Sequence, residues 1–201
     1  MPHPHLFVTK DPVDGLRSLS HVRASISQGH AKHLWEALLA KVTRESNEAP
    51  WIPSTPLPER KPTSVARANR DYDLVARLCN RIMDASLVAL VTGESRWADA
   101  ALRQIECLYD PAQWPEYEDQ THLDHGDHCS LRRGQLAVAL GLTYDWLYDF
   151  LMSGSSWIRT RAFVTAAIAV SILPDAALVL GGAILAHLGR VLRGLWRVRT
   201  P

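Results

Sequence analysis

Acidic residues and lysine are nearly missing from the last quarter of the sequence. Residues 151–201 hold one acid, Asp175, no lysine and six arginines; residues 1–150 hold the other 20 acids and all four lysines. So sharp a change in composition marks a boundary near Met152, giving a first part over 1–152 and a tail over 153–201. Cysteine is scarce too. Cys79, Cys107 and Cys129 are odd in number and far apart, which excludes a CxxC pair and a disulfide framework. They read as buried or half-buried thiols. Net charge is +1 over 201 residues, so no global field draws the chain to nucleic acid or to an anionic membrane. The opening MPHPHLFVTKDP lacks a basic stretch followed by an apolar one, so no signal peptide is visible. There is no Gly-rich phosphate loop, no GxSxG elbow and no HExxH helix. No strand with clean two-residue alternation appears before Met152.

What is present is helix. The hydrophobic share, 47%, suffices for a packed core. After an extended lead-in at His3–Val8, Asp11-Pro12 sets up a helix start, and Leu16, Leu19, Val22 and Ile26 recur at helical spacing. A second helix is expected over about His30–Arg44, with Leu34, Leu38 and Val42 on its buried face. His30 and His33 lie one turn apart there and read as surface side chains with no third ligand nearby. Asn47 to Ser64 contains five prolines and reads as a long irregular connection held by Trp51. A third helix over about Arg70–Val91 carries Tyr72, Val75, Leu78 or Cys79, Ile82, Ala85 and Ala89 as its stripe. Thr92-Gly93 stops it, and Glu94-Ser95 restarts the chain into a fourth helix with Trp97, Ala101, Ile105 and Leu108 inward. So short a turn makes these two antiparallel neighbours. A fifth helix begins near Asp127 or Ser130 and runs to Phe150, with Leu136, Leu140, Tyr144 and Leu147 as its core stripe. The fold class is all-α, built from antiparallel hairpins.

Chemistry concentrates just before that fifth helix. His122, Asp124, His125, Asp127 and His128 fall within seven residues. Three readings stand open. One is a metal site: His125-Gly126-Asp127-His128 matches the later part of the HxHxDH signature of metallo-β-lactamase-like hydrolases, but Leu123 occupies the first His position and the required strands are missing. A plainer one is a polar loop in which Asp127 or Ser130 caps the helix. The third is a ligand-facing rim, where His122 and His128, with Arg132 and Arg133 one turn into the helix, meet an anionic substrate; guanidinium forks bind carboxylate or sulfate bidentately.

Three stretches together resemble the heparinase II/III-like polysaccharide lyases. His3-Pro4-His5-Leu6-Phe7 is similar to the "HPRLLF" that opens their toroid domain. Residues 89–103, ALVTGESRWADAALR, resemble their "LTG, aromatic, DAA" hairpin, and residues 140–149, LGLTYDWLYD, their "ALGYDWLYD" helix. Order and spacing agree over about residues 1–150. The resemblance implies an incomplete (α/α) toroid from an enzyme that cleaves uronic-acid glycans, of the alginate or glycosaminoglycan class, by β-elimination. In that chemistry a hydrogen-bonding or positive group neutralises the uronate carboxylate, a Tyr or His removes the acidified C5 proton, and an acid protonates the leaving oxygen. The family's Asn-His pair and catalytic Tyr have no counterpart, since no Asn follows Asn80 and no Tyr follows Tyr148. The catalytic residues are therefore unassigned, and the chain is expected to be inactive by itself. The resemblance leaves part of a substrate groove: Gln135 and Arg132 on the fifth helix, with His122 and His128 on the rim, to hold an acidic polysaccharide or oligosaccharide. No cofactor and no metal is assigned, and an extracytoplasmic location, periplasmic or secreted, is implied.

The tail admits three readings. Ala162 to Leu188 is almost uncharged and is followed by Arg190, Arg193, Arg197 and Arg199, the pattern of a membrane segment with a positive flank. That would make the chain a membrane-anchored module binding an acidic glycan without catalysis. Pro174, Asp175 and Gly181-Gly182 argue against a simple span. A continued helix pair of the toroid is the second reading. The third, which the composition favours, is an out-of-frame end, because loss of Lys and acids with enrichment in Ala, Val, Leu, Gly and Arg is what a shifted frame in GC-rich DNA yields.

Overall fold

A computed structural model describes residues 3–4, 6–57, 70–114 and 131–153, with the backbone alone at 70–72 and 131–133. The regular structure of the described residues is helical apart from two very short strands. In order it runs β1 (Val8–Thr9), β2 (Arg17–Ser18), α1 (Leu19–Ser25), α2 (Gly29–Ser46), α3 (Arg70–Thr92), α4 (Ser95–Leu108), α5 (Leu131–Trp146) and α6 (Tyr148–Met152). The all-α class holds.

α3 is the element on which the others depend. Its stripe of Val75, Leu78, Cys79, Ile82, Ala85 and Ala89 is buried, as are Leu74 and Val88. Leu78, Ile82 and, from α4, Leu108 are 0% exposed; each such side chain gains about 1.5–3 kcal/mol on leaving water. Gly93, at φ 76°, ends α3 by donating its N–H to Ala89 O at 2.8 Å, a left-handed position where glycine carries no Cβ penalty. Only Glu94 separates this turn from α4, so α4 returns antiparallel along α3. Its inward face is Trp97, Ala98, Ala101, Leu102, Ile105 and Leu108, all buried.

α2 also runs antiparallel to α3, because Lys41 pairs with Asp84 while Arg81 reaches Glu45 O. Arg81 is 7% exposed, and its guanidinium donates to Glu45 O, Glu48 O and Ala49 O. It thereby satisfies the carbonyls left over at the C-terminus of α2. The connection after α2 is held by Trp51, as expected. Its N–H donates to Gln104 Oε1 (2.8 Å), and its carbonyl accepts from Gln104 Nε2 (3.0 Å) and Trp114 Nε1 (3.0 Å). Gln104, 1% exposed, thus serves the loop as a neighbouring strand would.

α5 lies along α3 in the same direction. Ser86 Oγ and Thr143 Oγ1 meet at 3.1 Å, both fully buried, and the C-terminal ends of both helices line one cleft. Leu136, Ala139, Leu140 and Leu147 are buried in the common core, with Tyr144 packed against it. The opposite face of α5 is open: Val138 is 57% exposed and Gly141 is exposed. Two parallel helices, α3 and α5, are therefore accompanied by two others, α2 and α4, that run the opposite way.

Three local expectations are corrected. Asp11-Pro12 does not start a helix. Residues 11–18 form a turn with a Val13–Leu16 bridge and then β2, which pairs parallel with β1 in the register Val8↔Arg17, Thr9↔Ser18. The helix begins after Ser18, whose hydroxyl accepts from His21 N–H, and Leu16 faces water at 39% exposure. Leu34, expected on the buried face of α2, is 59% exposed; Leu38 and Val42 pack inward as expected, joined by Trp35 and Leu39. The fifth helix does not run unbroken to Phe150: it stops at Trp146, and α6 begins at Tyr148.

Candidate functional site

Of the four residues proposed for substrate contact, two, Arg132 and Gln135, lie near the N-terminal end of α5. Gln135 sits half-buried in its opening turns. Arg132 lies on the same helix, one turn earlier, where the backbone alone is described. His122 and His128 fall outside the described residues, as do the rest of the 122–128 run, Cys129 and the tail from 154. Among the described residues no group of three His, Cys, Asp or Glu could hold a metal ion, and no helix is long and apolar enough to cross a membrane. The described thiols are as expected. Cys79 is 3% exposed and burial pushes it up to about 12, while burial and then Asp110 raise half-buried Cys107. Both shifts favour the protonated thiol over the thiolate that reacts.

The built site lies at the other end of α5, about 15 Å from Gln135 along the axis. It centres on Asp145, 4% exposed. A carboxylate in the last turn of a helix faces the negative end of the helix dipole and needs compensation. The lead-in supplies it. His3 Nδ1 lies 2.7 Å from Oδ1, and Leu6 N–H donates to Oδ2 at 2.8 Å. Trp146 Nε1 then donates to Leu6 O at 3.1 Å. The His3 ring stacks on Tyr148 at 4.0 Å and meets the edge of Tyr144 at 6.2 Å. A segment 140 residues away in sequence is thereby clipped to the end of α5. One of its residues is strained: Phe7 has φ 64° under a tight turn in which Val8 N–H donates to Leu6 O. For a bulky residue this conformation costs about 1–2 kcal/mol.

Below the clip is a cleft of about 370 Å³, within the ~300–1,000 Å³ usual for small-molecule sites. The lead-in, the α3–α4 turn and the α5–α6 corner all line it. Its walls are mostly apolar, with Pro4, Leu19, Leu90, Ala98, Trp146 and Phe150. The charges on its walls are committed. Lys10 pairs with Asp149, Glu94 with Arg96, and His3 with Asp145. Arg23 donates to Val91 O (2.7 Å) and Leu90 O, capping the C-terminus of α3. Three basic side chains therefore stand against three acidic ones, and the cleft favours a neutral or apolar occupant over a polyanion. No protein-family model, curated protein or solved structure matches this chain.

Sequence reasoning missed the clip. A signal for it existed in Asp145, an acid in the last turn of an apolar helix, but nothing local names a partner so far away.

Proposed function

We propose that the chain is the opening arc of a heparinase II/III-like α/α-toroid lyase, contributing to cleavage of uronic-acid glycans by β-elimination. One observation carries this reading. The three stretches that resemble that family, scattered over 150 positions, meet around a single cleft: the lead-in at His3–Leu6, the turn at Ala89–Glu94 and the helix end at Asp145–Trp146. A ring of α-hairpins also needs like-directed helices in one row and oppositely directed ones in the other. α3 with α5, and α2 with α4, have those directions. The open face of α5 is where a following hairpin would pack.

The committed charges of the cleft direct the acidic substrate elsewhere, to the N-terminal end of α5. There Gln135 and Arg132 form part of the groove wall, with His122 and His128 on its rim; Arg132 pairs with a uronate carboxylate or sulfate, and Gln135 hydrogen-bonds a sugar hydroxyl. The base and acid of the elimination come from outside this set, so the chain binds without cleaving, in the extracytoplasmic setting where such glycans occur. Calorimetric titration with alginate and chondroitin oligosaccharides tests this. Binding that weakens about tenfold in Arg132→Ala, the loss of about 1.4 kcal/mol, supports the reading. Equal affinity for neutral oligosaccharides, or none for acidic ones, defeats it.

A further inference from the structure

One surface feature is used by neither the core nor the glycan groove. Phe7 is the single non-glycine residue with positive φ among the described residues, and it is 70% exposed. Glycine or asparagine would take this turn with less strain and without apolar exposure, so folding alone gives no reason for phenylalanine here. The turn is nonetheless held firmly: Leu6 N–H is bound by Asp145 and Leu6 O by Trp146. Strained, well-anchored residues of this kind belong to sites of contact. Phe7 and Leu16 immediately precede the paired residues Val8 and Arg17, and the Val13–Leu16 bridge adds Val13. Leu6, Phe7, Val13 and Leu16 are 46%, 70%, 52% and 39% exposed, a patch of apolar side chains on one short segment.

The cleft lies beside this patch, since His3, Pro4 and Lys10, on either side of Phe7 in the chain, line it. At about 370 Å³, with apolar walls and paired charges, it suits a phenyl ring. The patch is bordered by exposed Lys10, Asp11, Asp14 and Arg17, of mixed sign, with Lys10 also paired to Asp149. Such a rim attracts neither a nucleic acid nor an anionic membrane, and it is complementary to itself. A knob and a hole on one face meet the requirement of two-fold pairing, in which each copy offers both halves of the contact. We propose that this face is a self-association surface in which the Phe7 ring of one copy enters the cleft of a second copy, and reciprocally.

Sedimentation analysis of the full chain over a concentration series tests this, with two variants. Phe7→Asp removes the knob. Leu19→Glu puts a carboxylate into the hole at the first position of α1, where an acid suits the helix. The wild type is expected to dimerise with concentration and each variant alone to stay monomeric. An equimolar mixture of the two is expected to recover a weaker dimer, because one intact knob then meets one intact hole. Val138→Asp, on the open face of α5, leaves the dimer unchanged, and Phe7→Asn raises the melting temperature while weakening association. A monomeric wild type, a mixture no better than either variant, or dimers that survive Phe7→Asp but not Val138→Asp would overturn the proposal. So would a Phe7 that contacts an apolar surface of a different protein in preference to this chain.

Discussion

Replacing Asp145 with alanine should release the lead-in while leaving the helical core in place. The wild-type carboxylate accepts from His3 at 2.7 Å and from Leu6 N–H at 2.8 Å. A hydrogen bond to a charged group contributes about 1.5–3 kcal/mol, so two give about 3–6 kcal/mol as an upper figure. His3 retains 25% side-chain exposure and the Leu6 contact is only part-buried, so water recovers some of this; the expected net loss is about 2–4 kcal/mol. The loss falls on local opening of the first eighteen residues rather than on global unfolding, because α3, α4 and α5 do not pack through this clip. Amide hydrogen exchange reads it directly. Val8 N–H and Leu16 N–H are held by Leu6 O and Val13 O in the wild type. They should exchange roughly 30- to 1,000-fold faster in Asp145→Ala, from tenfold per 1.4 kcal/mol, with α3 amides unchanged. Asp145→Asn, which keeps one acceptor oxygen, should fall between. Unchanged exchange at Val8 and Leu16 would refute Asp145 as the anchor, and equal acceleration throughout α3 would refute the local character of the clip.

Arg81→Met should cost about 3–5 kcal/mol in urea unfolding, since it leaves three carbonyls at the end of α2 without their shared cation; Arg81→Lys should recover only part, lacking the fork, and a loss under about 1 kcal/mol would show that water replaces the guanidinium. Glu45 is 7% exposed and burial raises its pKa against the opposing pull of Lys41 and Arg81. The folded state therefore holds its proton more tightly than the unfolded state does. Stability from the neutral form is full below the unfolded pKa and is lost as pH rises through the raised one. Glu45→Gln should accordingly be more stable than wild type at neutral pH, with the gap closing on acidification; a gap that widens on acidification would contradict this. Cys79 should resist alkylation in the folded protein at neutral pH and react only on unfolding, as site-resolved mass spectrometry would show, whereas labelling at the rate of an unfolded thiol would mean the α3 core is open.

The helices were legible where periodicity and punctuation agree. Gly93 after Thr92 ends α3, and the spacing of Trp97, Ala101, Ile105 and Leu108 gives the buried face of α4. Elsewhere tertiary context decided. Asp11-Pro12 has the local chemistry of a helix start, but the segment is used to bridge Val13 to Leu16 and to pair with β1, so the helix waits for Ser18. Leu34 fits an apolar stripe on α2, yet the stripe that counts is the one α3 covers, centred on Val42 and flanked by Trp35, Leu38 and Leu39. The clip of His3 and Leu6 on Asp145 is non-local, and no rule of spacing reaches across 140 positions. Two of the residues proposed for substrate contact, Gln135 and Arg132, are brought to one end of one helix; that end is distinct from the cleft, which the sequence did not announce because its walls come from three separate segments.

The central claim, that this chain holds acidic glycan at the N-terminal end of α5, is tested most directly by nuclear magnetic resonance titration with a defined uronate oligosaccharide beside a neutral one of equal length. The uronate should shift the Gln135 side-chain amide and the backbone amides around Arg132, leave the Trp146 indole and Leu6 amide at the cleft in place, and lose its effect in Arg132→Ala. Shifts centred on the cleft, the same shifts with the neutral oligosaccharide, or no shifts at α5 would contradict it.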